Sequence, residues 1–286
     1  MAEPLLTREG VAHPVVVLRT LDGAPDGVLF DDGRPLHVDP ELLAAGVAHR
    51  DALLRGAPDT WNGAILGFRA LAGDTIVAGR TDYFTMLATS DALRAERERT
   101  GESGPLRSRA RAVAGGDPLT SGAGRASVVG LSILPVLTHG DDAWLLLGRR
   151  SRALAISPGM LGTIDGCTEP GATARPLLEN LARELAEEAP GAVALSGSDA
   201  AELAATARLQ GLTMNLLRLS PTISVEIRIP LERPPGGVDL LSPAEFAGQV
   251  LVEATPRGVA GLWRHGAALA PPAAGALALW ERRYFE

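Results

Sequence analysis

The sequence predicts an α/β protein preceded by a smaller α+β module, and three observations lead to that prediction. A glycine loop runs directly into one strongly helical stretch that begins at Pro176. A polar, arginine-rich segment separates two groups of strand candidates, which suggests a boundary near residue 116. The main strand candidates are residues 64–71 and 75–79 before that segment, and 128–137, 143–148 and 222–229 after it. We therefore expect an α+β module over 1–115 and an α/β domain over 116–286.

The composition is that of a folded protein with an acidic balance. The 286 residues carry a formal net charge of −7, and 46% of them are hydrophobic. That charge argues against nucleic acid or an anionic membrane as the main partner. The chain has no lysine, so a bound phosphate must be contacted by an arginine or a backbone N–H. A signal peptide and a membrane-spanning apolar run are both lacking, which predicts a cytoplasmic location.

Local patterns define the elements of the first module. They predict strands at 14–19 and 27–30, a turn at 31–33, a helix over 40–54 and a short helix over 92–98. Asp39 is the predicted N-cap of the first helix, and Thr89 with Ser90 is the predicted cap of the second. The middle of the segment 94–111 is interpreted as a loop or linker, because glycine and proline interrupt it.

Two aromatic side chains of the first module, Trp61 and Tyr83, allow two interpretations. Only 4% of the chain is aromatic, so these two rings are among a small number of aromatic side chains. They either stack on the base or sugar of a ligand or form the core of the module.

Local patterns also predict the elements of the second unit, residues 116–286. Besides the strands given above, the patterns predict a strand at 209–219, a turn at Ser220-Pro221, and helices at 199–207, 242–249 and 273–284. Along strand 222–229, Glu226 and Arg228 share one face. If that face lines a site, Glu226 adds a carboxylate and Arg228 a phosphate contact. If it faces solvent, neither residue has a functional role.

Three carboxylates lie on the helix that begins at Pro176. Because residues three and four apart share a helix face, Glu184 lies beside both Glu187 and Glu188. One interpretation is a solvated acidic face on which Arg183 pairs with Glu187. The other is a magnesium site, since Mg²⁺ prefers hard oxygen ligands and often bridges carboxylates to substrate phosphates.

Together, the loop and the helix resemble the Nudix hydrolase signature. That signature is G, five residues, E, seven residues, and then R-E-U-x-E-E-x-G-U, where U is aliphatic. Residues 183–188 match the R-E-U-x-E-E part in full. Gly166 is followed by five residues and then by Ala172, where the family has its first glutamate, and ten residues rather than seven separate Ala172 from Arg183. The helix half is therefore intact and the loop half is degenerate.

Other segments resemble a Nudix subgroup that hydrolyses UDP-glucose and UDP-galactose. They are residues 81–89, Asp117-Pro118-Leu119, 166–170 and 224–226. The resemblance implies an α/β/α sandwich with a mixed sheet, and Mg²⁺ as cofactor with Mn²⁺ as an alternative. It also implies cleavage of a small nucleoside diphosphate linked to another group, such as a nucleotide sugar, into a nucleotide and a phosphorylated product. Family members are often dimers, so a homodimer is one expected state.

The resemblance further implies roles for individual residues. Glu187 and Glu188 are the main metal ligands, Glu184 is a ligand or the general base, and Arg183 positions a glutamate. Glu169 takes the place of the glutamate missing at Ala172. Catalytic roles are expected for Glu184, Arg183 and Glu226. Substrate contacts are expected from Arg149, Arg150, Glu169, Tyr83 and Trp61.

Two rival hypotheses stay open. The degenerate loop favours a catalytically silent Nudix fold that binds a nucleotide or regulates another process. Alternatively, the protein is a pathway-specific pyrophosphatase acting on an ADP- or CDP-linked biosynthetic intermediate, which shares the chemistry and differs in the pocket.

Overall fold

A computed structural model describes residues 5–101, 104–154, 156–173, 175–264 and 269–286. The first part contains β1 (Leu6–Arg8), β2 (Val11–His13), β3 (Val15–Thr20), β4 (Leu29–Pro35), α1 (Pro40–Gly56), β5 (Ala64–Ala72), β6 (Thr75–Asp82), α2 (Tyr83–Met86), α3 (Ala92–Thr100) and α4 (Pro105–Val113). The second part contains β7 (Gly130–His139), β8 (Asp142–Arg150), β9 (Leu161–Gly162), β10 (Ile164–Cys167), α5 (Pro176–Glu188), α6 (Pro190–Ser196), α7 (Ala200–Ala205), β11 (Arg208–Asn215), β12 (Ser220–Pro230), β13 (Phe246–Glu253), α8 (Pro256–Arg264) and α9 (Pro271–Phe285). Within these ranges, no helix is long and apolar enough to cross a membrane.

A mixed sheet lies at the centre of the fold. Within the described residues it has eight strands in the order β13-β8-β7-β12-β11-β3, with β10 paired to β7 and β9 to β8. Strand β12 runs parallel to β7, and the other neighbours are antiparallel. A smaller three-stranded sheet, β4-β6-β5, lies beside it. Backbone hydrogen bonds from Leu66 to Thr168 and from Phe68 to Ser127 join β5 to the chain around β7 and β10.

Helices cover both faces of the central sheet. Because side chains alternate along a strand, Ile133 of β7 packs on the face that holds Leu185 of α5, whereas Val136 packs with Leu277 of α9 on the other. The sheet is therefore the middle layer of an α/β/α sandwich, and a smaller α+β segment precedes most of it in the chain. The predicted fold class is confirmed.

Both sides of the expected boundary near residue 116 contribute to the same sheet. Strand β3 pairs with β11, so that Val15 lies opposite Asn215. One hydrophobic cluster also joins Phe68 of β5 to Ile133 of β7. The division into 1–115 and 116–286 stays a prediction, and the two parts share a sheet and a core.

The turn predicted at residues 31–33 is wrong. These residues belong to β4, where the pairing with β6 shifts register between Asp31 and Pro35. Gly33 has a φ of +70°, a conformation that glycine adopts easily and that is common at bulges. The Asp-Asp-Gly sequence therefore forms an irregularity within a strand.

The helix cap predicted at Thr89 and Ser90 is also wrong. Helix α2 begins about two turns earlier, where the Asp82 carboxylate accepts a hydrogen bond from the Thr85 N–H at 3.0 Å. It continues through a π-helical turn, Leu87–Asp91, into α3. Thr89 and Ser90 are buried inside this helix. Helices α3 and α4 cover both ends of the segment 94–111, and the break predicted in its middle lies between Thr100, where α3 ends, and Pro105, where α4 begins.

Two predictions in the second part are wrong for tertiary reasons. Residues 246–249 belong to β13 rather than to a helix, because the backbone of β8 offers antiparallel partners at the edge of the sheet. The turn predicted at Ser220-Pro221 lies earlier, at residues 216–219, so Ser220 begins β12. The turn at residues 216–219 contains Arg218, whose position is described below.

Candidate active site

A large cleft opens where the acidic helix α5 faces the segment around β5 and β6. Its volume is about 1140 Å³. One wall is acidic and consists of Asp165, Glu169, Glu184, Glu187 and Glu188. The lining also includes two aromatic residues and an arginine: Trp61, Tyr83 and Arg218.

Helix α5 places its carboxylates by an amphipathic pattern. Pro176 occupies the first turn, and Leu181 and Leu185 are buried in the core beneath the helix. Glu184 and Glu188 are one turn apart and nearly buried at the edge of that core. Glu187 lies at the rim, with 62% of its side chain exposed. The three acids of the helix therefore occupy different environments.

The glycine loop fits closely against α5. A Cβ atom at Gly166 would collide with the Glu184 carboxylate, so a side chain at this position would displace that carboxylate. One residue earlier, the backbone N–H of Asp165 donates a hydrogen bond to Glu188 at 3.1 Å. Strand β10 and helix α5 thus bring the carboxylates of Asp165, Glu184 and Glu188 to one part of the cleft.

Arg183 fastens the loop to the helix. Its guanidinium lies 2.8 Å from Glu169 and 3.0 Å from Glu184, and it donates hydrogen bonds to the Cys167 carbonyl and to Asn180. Asn180 in turn accepts from the Glu169 N–H at 2.8 Å and donates to the Glu169 carbonyl at 3.0 Å. The structure therefore brings Glu169 to Arg183, and the role of Glu169 in place of the glutamate missing at Ala172 stays a prediction.

The buried carboxylates favour their neutral forms. Burial raises the pKa of Glu184 to about 7, against the opposing charge of Arg183. Burial also raises the pKa of Glu188 to about 9, helped by the negative charges of Asp165 and Glu184. The pKa of Asp165 is raised for the same reason, although Arg150 opposes the rise. A cluster of this kind attracts protons or a cation.

The donor set suits a hard divalent cation by its chemistry. Several carboxylates with raised pKa values line one cleft, and oxygen ligands are those that Mg²⁺ and Mn²⁺ prefer. Among the described residues, no three carboxylate, imidazole or thiol groups already converge as a metal site. In particular, the exposed position of Glu187 separates it from Glu184 and Glu188. The assignment of these three glutamates as ligands stays a prediction, and Asp165 is a further carboxylate in the cleft that the sequence analysis missed.

The two arginines that precede the loop have different positions. Arg150 lines the cleft and lies 3.8 Å from Asp165, whereas Arg149 is exposed and donates to the Gly159 carbonyl at 3.2 Å. Adjacent residues of a strand point to opposite faces, which explains the difference. The side chain of Arg149 lies outside the described lining of the cleft, and its expected substrate contact stays a prediction.

Glu226 also lies away from the cleft. Thr222 of the same strand lines the cleft, but Glu226 is four residues further on, roughly 13 Å along the strand. There its carboxylate accepts hydrogen bonds from Tyr284 of α9 and from Arg228, both at 2.8 Å. Helix α9 covers this face of β12. In this structure Glu226 makes a structural contact with α9, and its expected catalytic role stays a prediction.

The aromatic pair lies at the mouth of the cleft. The rings of Trp61 and Tyr83 have centroids 6.0 Å apart and are tilted by 55°. Trp61 is 51% exposed, and its indole occupies the space that a side chain at position 63 would fill. Burial raises the pKa of Tyr83 to about 12, so its phenol keeps its proton at neutral pH. The exposed indole favours the ligand-stacking interpretation for Trp61 over the core interpretation.

Comparisons with known proteins give distant structural likeness only. No family model and no curated protein matches the chain. The DR0079 protein of Deinococcus radiodurans is 19% identical with a TM-score of 0.36, over 55% of this chain and 83% of its own. The MutT protein of Methanosarcina mazei is 16% identical with a TM-score of 0.36, over 56% of this chain and 98% of its own. A NUDIX hydrolase of Alicyclobacillus acidocaldarius is 16% identical with a TM-score of 0.36, over 53% of this chain and 90% of its own. These values are too low to assign a family, so any assignment rests on the residues of the cleft.

Proposed function

We propose that this protein is a Nudix-type hydrolase that uses a divalent cation, Mg²⁺ or Mn²⁺. Its substrate is a nucleoside diphosphate linked to a second group, and its products are a nucleotide and a phosphorylated second group. One observation carries this proposal: the carboxylate of Glu184 lies against Gly166, while Arg183 joins Glu184 to Glu169 across the same cleft. This is the meeting of glycine loop and R-E-x-x-E-E helix on which the signature chemistry depends.

The residues divide the work of hydrolysis between them. Glu188 and Asp165 would hold the cation, and a bound divalent cation would neutralise phosphate oxygens and lower the pKa of water. Arg183 keeps the glutamates in place. Glu184 takes the proton of the attacking water, as a new bond forms to phosphorus and the bond to the leaving phosphate oxygen breaks. A carboxylate whose pKa is about 7 is suited to this exchange at neutral pH.

The size and lining of the cleft support a nucleotide-sized ligand. Ligand pockets commonly span about 300–1,000 Å³, and this cleft is slightly larger. We assign the base or sugar to Trp61 and Tyr83 and the diphosphate to the interior. UDP-sugars are the first substrates to test, because of the sequence resemblance. A homodimer and a cytoplasmic location stay predictions from the sequence.

The test is turnover on a panel of UDP-sugars, ADP-ribose, NAD and CDP-alcohols, with Mg²⁺ and with EDTA. The variants are Glu184→Gln and Glu188→Gln, and the matched control is Glu253→Gln, an exposed glutamate at the end of β13. We expect cation-dependent cleavage of one substrate class, lost by about 100-fold or more in both cleft variants and kept in the control. Cleavage of CDP- or ADP-linked compounds alone would favour the pathway-specific alternative.

A silent binding module is the second candidate. It is favoured by Ala172 at the glutamate position of the signature and by the lack of three converged metal ligands among the described residues. It predicts nucleotide binding without turnover on any substrate, in Mg²⁺ or Mn²⁺. Absence of turnover together with tight binding would replace the hydrolase proposal by this one.

A further inference from the structure

Arg218 reaches the cleft from a turn that the sequence patterns placed in a strand. The turn at residues 216–219 joins β11 to β12, and the Arg218 side chain lines the cleft although the residue is only 7% exposed. Cys167, Glu184 and Arg218 line the same cleft. Arg218 therefore reaches the cleft from a different element than α5.

A buried carboxylate holds this guanidinium. Nε and Nη2 of Arg218 lie 2.8 Å and 2.6 Å from Oδ1 of Asp91. The other oxygen of Asp91 is hydrogen-bonded to His49 at 2.8 Å, and Arg94 donates to both oxygens. Asp91 is 1% exposed, so these contacts fix its position. The Nε and Nη2 edge of the Arg218 guanidinium is therefore held in place by Asp91.

Hydrogen bonds from residues of the first module also hold the backbone of the turn. The carbonyls of Leu216 and Leu217 accept hydrogen bonds from Arg97 and Arg107, and that of Arg218 accepts one from Ser90 at 2.6 Å. Leu219 has a φ of +53°, which a leucine adopts only when its surroundings impose it. Helices α3 and α4 and the π-helical turn before them thus fix the place of Arg218.

Arg218 differs from the other arginines that line the cleft in the described residues. Arg183 is committed to Glu169, Glu184 and two further acceptors, and Arg150 to Asp165 and the Ile156 carbonyl. Nη1 of Arg218 makes no hydrogen bond within the described part of the chain, because Asp91 occupies the Nε and Nη2 edge. A guanidinium with one edge fixed and the other free is prepared to bind a phosphate.

Resting on the proposed function, we propose that Arg218 binds a phosphate oxygen of the substrate diphosphate, and that Asp91 is its positioning residue. The carboxylates that line the cleft repel a diphosphate, and the fixed guanidinium of Arg218 in the same lining offsets part of that repulsion. Without lysine in the chain, a side-chain cation for phosphate must be an arginine. The first module therefore contributes to catalysis by fixing a substrate contact as well as by presenting aromatic rings.

The experiment measures the affinity of full-length protein for inorganic pyrophosphate and for ADP in EDTA, together with kcat and KM on the panel substrate. The variants are Arg218→Gln, Arg218→Lys and Asp91→Asn. The matched control is Arg208→Gln, which removes a half-exposed arginine at the far end of β11. Adenosine and uridine serve as ligands without phosphate.

We expect Arg218→Gln to weaken pyrophosphate and ADP binding by about tenfold or more and to raise KM more than it lowers kcat. Nucleoside binding and the control variant should be unchanged. Arg218→Lys keeps a cation beside Asp91 but loses the planar guanidinium with its several N–H donors. This variant should weaken pyrophosphate binding by about threefold or more. Asp91→Asn should weaken pyrophosphate binding in the wild-type background and should not weaken it further in Arg218→Gln. If Asp91 had a merely structural role, the losses of affinity in the two variants would add.

The outcomes separate the two proposals. Wild-type turnover with unchanged pyrophosphate affinity in Arg218→Gln, or in a folded Arg218→Lys should the first variant not fold, would overturn the role of Arg218 and leave the hydrolase standing. A wild type that neither cleaves the panel nor binds pyrophosphate would remove the proposed function itself, and the role of Arg218 with it.

Discussion

The carboxylate of Glu184 lies in the space that a side chain at Gly166 would occupy. Loop and helix are in contact at this point, so the position of a central acidic group depends on the absence of a Cβ atom. This relationship leads directly to a mutational prediction.

Replacing Gly166 by alanine should displace Glu184 and weaken the fold. Overpacking of this kind costs about 1–3 kcal/mol in the free energy of unfolding, and we expect turnover to fall by at least about tenfold because one carboxylate moves. Urea unfolding and steady-state kinetics measure the two effects. Gly236→Ala is the control, since a Cβ there meets open space. Equal stability of the two variants would show that the contact is not tight.

Asn180 should be needed to keep the loop on the helix. Asn180→Ala removes the partners of the Glu169 N–H, the Glu169 carbonyl and one Arg183 bond. We expect a loss of about 1–3 kcal/mol and faster hydrogen exchange at the Glu169 amide. Asn62→Ala, which breaks an exposed bond to the Phe84 N–H, is the comparison. Unchanged exchange at Glu169 would mean that Arg183 alone holds the loop.

Mg²⁺ should stabilise the wild type against heat, and EDTA should reverse the effect. A ligand at 100 times its dissociation constant adds about 2.7 kcal/mol to the free energy of unfolding. Differential scanning fluorimetry of the wild type, Glu188→Gln and Glu253→Gln checks this. The shift in Tm should disappear in Glu188→Gln and persist in Glu253→Gln. A shift of the same size in all three proteins would indicate that the cation binds elsewhere.

Acid should weaken the fold through Asp91. Burial alone would raise the pKa of this carboxyl, but Arg218, His49 and Arg94 hold its pKa well below the usual range. A depressed folded-state pKa gives stability that is present above the unfolded value of about 4 and is lost as the pH falls below it. Urea unfolding between pH 7 and pH 3 should therefore show a steeper loss in the wild type than in Asp91→Asn. Parallel curves would show that Asp91 contributes nothing to acid sensitivity.

Tyr284 and Glu226 should matter for stability and leave turnover unchanged. Tyr284→Phe removes a hydrogen bond to a buried carboxylate, which costs about 1–3 kcal/mol. We expect kcat and KM to stay within about twofold of the wild type in Tyr284→Phe and in Glu226→Gln, because both groups lie outside the cleft lining. A large fall in kcat for Glu226→Gln would restore the catalytic role expected from the sequence.

The elements that depend on local pattern were predictable. Leucines at helical spacing and Pro176 predicted α5, and Asp39 was found to cap α1 through bonds to the Glu41 and Leu42 N–H groups. Strand β7 and the hairpin to β8 followed from their apolar runs and turn residues. These signals lie within a few residues of one another, so they are visible without tertiary structure.

The parts of the site that depend on packing could not be predicted. Arg218 reaches the cleft only because helices from the first module fix a turn, and no local pattern marks that turn. Whether Arg149 or Arg150 lines the cleft depends on which face of β8 is directed toward the cleft. The environment of Glu226 depends on where the last helix of the chain packs. Contacts between residues far apart in sequence decide each case.

The pairing of β3 with β11 has a consequence for how the chain folds. Val15 is synthesised long before its partner Asn215, so the edge of the central sheet can close only when most of the chain has been made. Contacts of such long sequence separation slow folding. Until then β3 presents unpaired backbone groups, and a β11 that lacks β3 does the same, which makes such species prone to aggregation. We therefore expect a fragment that starts after β3 to express poorly, even though it retains helix α5 and the acidic wall.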